Sequence, residues 1–144
     1  MQGSRSGCAE QERVIVSLCN AFPEATVVDR RANPNYGYRA IHVIARISGK
    51  LVEIQVRTVL QHVWAELSEK LSDVHDPDIK YGGGPEMDRE LLTRASHLVA
   101  KHEELEQTLH VEELPEDLSR MKKWLTEFLR KVVSDLESQK GQKQ

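Results

Sequence analysis

Apolar and polar residues alternate through residues 35–58, NYGYRAIHVIARISGKLVEIQVRT, which predicts two strands joined by a tight turn. In the first strand Ile41, Val43, Ala45 and Ile47 share one face, and Tyr38, Ala40, His42, Ile44 and Arg46 share the other. In the second, Val52, Ile54 and Val56 lie opposite Glu53, Gln55 and Arg57. A two-residue turn at Ser48-Gly49 makes paired residue numbers sum to 97, so Ile41 meets Val56, Val43 meets Ile54 and Ala45 meets Val52. His42 then faces Gln55, with Glu53 diagonal to both His42 and Arg46. A slip of one residue would mix the two faces, so burial selects this register.

Around the hairpin the period changes. Residues 10–22 predict a helix on Val14, Ile15, Leu18 and Phe22, ended by Pro23. The β-branched run at residues 25–30 predicts a short strand, and Asn33-Pro34-Asn35 a loop. Leu60, Val63, Trp64, Leu67 and Leu71 form the stripe of an amphipathic helix over residues 59–72, expected to pack on the sheet. His62 and Glu66, four apart on its other side, read as a surface pair.

Residues 73–85 are rich in turn formers and predict a loop. Its triple glycine, Gly82 to Gly84, lacks the GxxxxGK(S/T) pattern and follows no strand, so a flexible connector is expected. Pro85 is placed to open a third helix with Met87, Leu91, Leu98, Val99 and Leu105 inward. A break at Leu114-Pro115 precedes a fourth, over residues 116–137, striped by Leu118, Met121, Leu125, Phe128, Leu129, Val132 and Leu136. Two long helices so closely joined predict an antiparallel hairpin. The order of elements gives an α+β class: a sheet-bearing unit over residues 1–84, a helical hairpin over 85–137, and a disordered tail over 138–144.

Composition fits a soluble globular protein, with 39% apolar and 30% charged residues and no long apolar run, so no membrane partner is expected. Residues 1–9 do not form a secretory signal. Cys8 and Cys19 have no metal-ligand spacing and read as free thiols of a reducing cytoplasm. The net charge of −3 conceals an asymmetry: residues 26–58 carry six basic and two acidic residues, whereas residues 59–144 carry twelve and eighteen. A positive sheet on a negative helical body suggests an anionic ligand, such as a nucleotide, rather than DNA.

Candidate chemistry gathers on the polar face of the hairpin. Glutamate is disfavoured in strands, yet Glu53 sits within an apolar VEI run. It is a candidate magnesium ligand, or else the partner of Arg46 or Arg57. Tyr38 offers a ring for a base to stack on. His42, four residues later on the same face, offers a phosphate donor or a general base.

The string GYRAIH, the EIQVRT that starts eleven positions after His42, and then LQHVWAELSEKL and DIKYGGG resemble the C-terminal half of the RelA/SpoT-type (p)ppGpp synthetase domain over about residues 10–84. The resemblance implies a nucleotidyltransferase-like fold with an antiparallel or mixed sheet. It also implies a stringent-response GTP diphosphokinase that moves the β,γ-diphosphate of ATP to the ribose 3′-hydroxyl of GDP or GTP, with Mg2+ as cofactor. Carried over by motif, Tyr38 stacks on the guanine, His42 contacts the acceptor nucleotide, and Glu53 holds magnesium and orients or deprotonates the 3′-hydroxyl. Gln55, Arg57 and Arg46 support the nucleotide from the same face. The family's asparagine before Gly-Tyr is here Tyr36, with Asn35 one earlier.

The family's ATP-gripping basic segment and its DxxGxR strand, which carries a second metal carboxylate, have no counterpart in the sequence. The isolated chain is therefore expected not to make ppGpp, and an unpaired sheet edge leaves room for a homo-oligomer. A nucleotide-binding regulator without transferase activity and a helical interaction module are the alternatives.

Overall fold

The structure is a computed structural model, and it describes residues 7–109 and 116–142. Helix α1 (Gly7–Ala21) leads into strands β1 (Thr26–Asp29), β2 (Ile41–Ile47) and β3 (Lys50–Val56). Helix α2 (Val59–Val74), a short 3-10 helix (Pro77–Tyr81), α3 (Glu86–Leu109) and α4 (Glu116–Gln142) follow. The class is α+β: a three-stranded antiparallel sheet in the order β1-β2-β3, flanked by helices and followed by two long C-terminal ones. No helix among the described residues is long and apolar enough to cross a membrane.

The β2–β3 register is the one the alternation requires. Ile41 pairs with Val56, His42 with Gln55, Ile44 with Glu53 and Ile47 with Lys50. Ser48 and Gly49 both take positive φ, at 52° and 78°, which is the geometry of a two-residue hairpin turn. Helix α1 covers one face of the sheet, where Ile15 buries Ile41 and Val43 with Leu18, Cys19, Ile54 and Val56 packed around them. The opposite face keeps its polar side chains.

Helix α2 does not pack on the sheet as its stripe suggested. Leu60, Val63, Trp64, Leu67 and Leu71 are all buried. Their cluster is shared with Ile79 of the 3-10 helix, Leu92, Ala95 and Val99 of α3, and Leu125, Leu129, Val133 and Leu136 of α4. Helix α4 packs chiefly on α2, and its contact with α3, the expected hairpin partner, is minor. One core thus runs across the residue 84/85 boundary. The break expected at Leu114-Pro115 lies outside the described residues. Helix α4 continues to Gln142, so residues 138–142 are helical rather than a disordered tail.

Of the α3 residues expected inward, Val99 is buried and Leu91 packs against the core, but the buried face is rotated away from the other three. Met87 is 82% exposed, and Leu98 and Leu105 also face outward. The buried positions are Asp88, Leu92, Ala95, Ser96, Val99, His102, Glu103 and Glu106. On α4, Met121 and Phe128 of the expected stripe are exposed, and Val133 takes the inward place. Phe128 stacks instead on exposed Trp124, with ring centroids 5.5 Å apart.

The triple glycine is a packed corner. Gly82 caps the 3-10 helix at φ 84°, and a Cβ there would lie 2.5 Å from the Tyr36 ring. A Cβ on Gly84, also at φ 84°, would lie 2.5 Å from Ile79 Cγ1. Side chains are excluded by their neighbours, and both backbones sit where glycine alone is unstrained. The segment is a cap, in place of the expected connector.

Candidate functional site

Five of the six residues singled out on the polar face form one ring, hydrogen-bonded except at the His42–Glu53 link, which is an ion pair by distance alone. His42 Nδ1 lies 3.1 Å from Glu53 Oε1, and His42 Nε2 lies 2.8 Å from the Tyr38 hydroxyl. Arg57 donates to that hydroxyl oxygen from Nε at 3.2 Å and Nη2 at 3.0 Å. The same Nη2 reaches Gln55 Oε1 at 2.5 Å, and Gln55 Nε2 returns to Glu53 Oε1 at 3.1 Å. The register makes this possible: His42 pairs directly with Gln55, and Glu53 follows two residues earlier on the same face. Arg46 is not part of it. Its guanidinium bonds the Gly49 carbonyl at the hairpin turn, and neither Arg46 nor Arg57 pairs with Glu53.

Tyr38 owes its position to a second tight turn. Asn35 and Tyr38 bond each other's backbones, while Tyr36 and Gly37 between them take φ of 53° and 89°. Gly37 is held from the helical side, because its carbonyl accepts from Ser96 Oγ at 2.8 Å and a Cβ would meet Trp64 at 2.8 Å. Trp64 is itself fixed, donating Nε1 to the Leu92 carbonyl at 2.9 Å. Tyr38 therefore stands at the seam between sheet and helices, with Arg57 Cζ 5.2 Å from its ring centroid.

Beside Tyr38 and Arg57 opens a cleft of about 280 Å³, walled by Tyr36, Trp64, Ser68 and Ile79. Its charged neighbours are mostly paired: Lys80 with Glu69 at 2.9 Å, and Glu66 with His62 at 2.7 Å, the surface pair expected. Arg57 pairs with no carboxylate among the described residues, so its charge faces the cleft supported only by neutral oxygens. A cation so placed favours an anionic ligand.

A buried carboxylate behind the site went unnoticed in the sequence. Glu103 of α3 is 3% exposed. Its oxygens accept from Thr58 Oγ1 at 3.0 Å, from Gln61 Nε2 at 3.0 and 3.1 Å, and from the Cys8 thiol at 3.3 Å. Arg39 Nη1 lies 3.2 Å from Oε2, an ion pair by distance although its N–H misses the direction of a hydrogen bond. Thr58 also caps α2, accepting from the Gln61 amide at 3.1 Å while Gln61 Oε1 accepts from the Thr58 amide at 3.1 Å. Glu103 thereby holds Arg39, which follows Tyr38, and Thr58, which follows Arg57.

The magnesium that the resemblance implies meets one carboxylate. Glu53 is about half exposed (47%), and its Oε1 accepts from Gln55 with His42 Nδ1 3.1 Å away. Oε2 receives no hydrogen bond among the described residues. One carboxylate with water and phosphate oxygens is a usual magnesium shell, and Glu53 fits that role. Among the described residues no group of three or more His, Cys, Asp or Glu side chains is arranged to hold a metal. Asp29, the other acid of residues 26–58, is in register with Ile41 on the opposite face. Hydrogen bonds from Arg31 hold its carboxyl below the usual range.

No protein-family profile matches the chain. Over 79 residues it is 39% identical to proteins of Mycobacterium bovis and of two Mycobacterium tuberculosis strains, each named an uncharacterized protein. The shared stretch is 54% of this chain and 29% of each relative, so the chain spans less than a third of the relatives it matches. No solved structure matches it at a significant level.

Proposed function

We propose that the open face of the hairpin is the acceptor-nucleotide half of a (p)ppGpp synthetase-like site, on a sheet of nucleotidyltransferase type. The observation that carries this reading is the ring: Tyr38, His42, Glu53, Gln55 and Arg57, drawn from the two motifs that suggested the family, meet in one network beside a cleft. Tyr38 and the cleft receive the guanine of GDP or GTP, and Arg57 attracts its phosphates. Glu53 orients the ribose 3′-hydroxyl and holds magnesium, which screens the charge that builds between two polyphosphates. Catalysis of diphosphate transfer from ATP needs a second carboxylate and an ATP-gripping wall. Neither stands beside Glu53 among the described residues, so this chain binds the acceptor without completing the reaction.

Calorimetric titration of the chain with GDP and magnesium tests this. Saturable binding in the wild type that is lost in Tyr38→Ala supports the proposal. Equal affinity in both, or no heat of binding, contradicts it.

A further inference from the structure

The hydrogen bonds of the ring have a direction, and it starts at Arg57. A guanidinium only donates, and it stays charged at any pH the protein survives. Arg57 gives two N–H groups to the Tyr38 hydroxyl oxygen, at 3.2 and 3.0 Å, which occupies both lone pairs of the phenol. The phenol is left with its own O–H to donate, and the group within reach is His42 Nε2 at 2.8 Å. Nε2 therefore accepts. In a neutral imidazole the proton then sits on Nδ1, 3.1 Å from Glu53 Oε1.

We infer that Arg57, acting through the Tyr38 hydroxyl, fixes His42 as its Nδ1–H tautomer and so keeps the proton on the ring nitrogen beside Glu53, 3.1 Å from Oε1, although that N–H misses the direction of a hydrogen bond. Gln55 points its amide N–H at the same oxygen, because Arg57 Nη2 occupies its carbonyl oxygen. One arginine thus sets the Gln55 donor on Oε1 and the protonated side of His42 beside it, leaving Oε2 as the oxygen turned to a ligand. Tyr38 and Arg57 are positioning residues in this role, in addition to any contact they make with a nucleotide. The benefit to catalysis rests on the function proposed above; the tautomer itself does not. Second neighbours that set a histidine's tautomer are a recurrent device in reactive sites.

The test is the ring-nitrogen NMR spectrum of His42 in chain labelled with 15N-histidine, recorded where the imidazole is neutral. Wild type should show a pyrrole-type Nδ1 and a pyridine-type Nε2. Glu53→Val, which suits a strand and removes the carboxylate, should keep that pattern, because Tyr38 still donates. Adding Tyr38→Phe should shift the spectrum to the Nε2–H form that free imidazole favours. An Nε2–H pattern in wild type, its appearance in Glu53→Val alone, or an unchanged pattern in the double variant would each overturn the inference. If the Tyr38 variant does not fold, Glu53→Val with Arg57→Met replaces it. There the hydroxyl is free to donate or accept, so a mixture supports the inference and a pure Nδ1–H form overturns it. GDP titration of the same samples separates the claims: a wrong tautomer with GDP still bound removes only this inference, and the right tautomer without GDP binding removes only the nucleotide reading.

Discussion

Glu103 Oε2 lies 3.2 Å from Arg39 Nη1, which ties a helix near the C-terminal end of the fold to the arginine beside Tyr38. Both side chains are nearly shielded from water, at 4% and 10% exposure, so neither charge is solvated if the other is removed. Breaking such a pair from one side typically costs roughly 3–5 kcal/mol. Glu103→Leu should lose stability in that range by urea denaturation. Glu103→Gln should lose less, because its amide oxygen still accepts from Thr58 while Arg39 is left without a counter-charge.

Gly37 and Gly49 separate backbone strain from packing. Both have positive φ, at 89° and 78°, but an added Cβ meets Trp64 at 2.8 Å in the first and nothing within 4 Å in the second. A non-glycine residue in such a conformation costs about 1–3 kcal/mol. Gly49→Ala should show strain alone, and Gly37→Ala should lose clearly more. Urea denaturation of the two variants checks this, and equal losses would show that the Trp64 contact is unimportant.

Cys8 makes stability fall at high pH. Burial, with the Glu103 carboxylate beside it, pushes the thiol from 9.0 up to about 12. The unfolded chain gives up its proton first as pH rises, so the contribution is complete below about pH 9 and disappears towards pH 12. Denaturation profiles of wild type and Cys8→Ala should run parallel below that window and converge within it. At neutral pH a thiol reagent should modify the partly exposed Cys19 well before the buried Cys8.

The hairpin was legible because two independent constraints agree there. Alternation in Ile41-Val43-Ala45 and Val52-Ile54-Val56 chooses the buried face, and a two-residue turn leaves one register that aligns them. Glu53 beside His42 follows from those positions. Helix α3 was legible only in part: of the expected inner face, Met87, Leu91, Leu98, Val99 and Leu105, Val99 is buried and Leu91 packs on the core, while the other three face out. The side that is buried carries Asp88, His102, Glu103 and Glu106. Asp88 and Glu103 are tolerated inside because partners outside the helix satisfy them: His75 for Asp88 at 2.8 Å, and Cys8, Arg39, Thr58 and Gln61 for Glu103; His102 and Glu106 pair with each other one turn apart at 2.8 Å. A local hydrophobic pattern holds no record of such partners. Leu92 and Ala95, at helical spacing with Val99, were the available signal for the rest.

The chain by itself should not make ppGpp. Radiolabelled ATP, GDP and magnesium resolved by thin-layer chromatography should yield no transferred diphosphate. Product that disappears in Glu53→Gln would show that a single carboxylate suffices.

The central claim is that a guanine nucleotide sits on the open face of the hairpin. Backbone NMR of the 15N-labelled chain titrated with GDP and magnesium tests it most directly. The amides of Tyr38, His42, Glu53, Gln55 and Arg57 should shift together with one dissociation constant, joined by Trp64 and Ser68 across the cleft. Shifts confined to the exposed faces of α3 and α4, or no saturable shift anywhere, would contradict it.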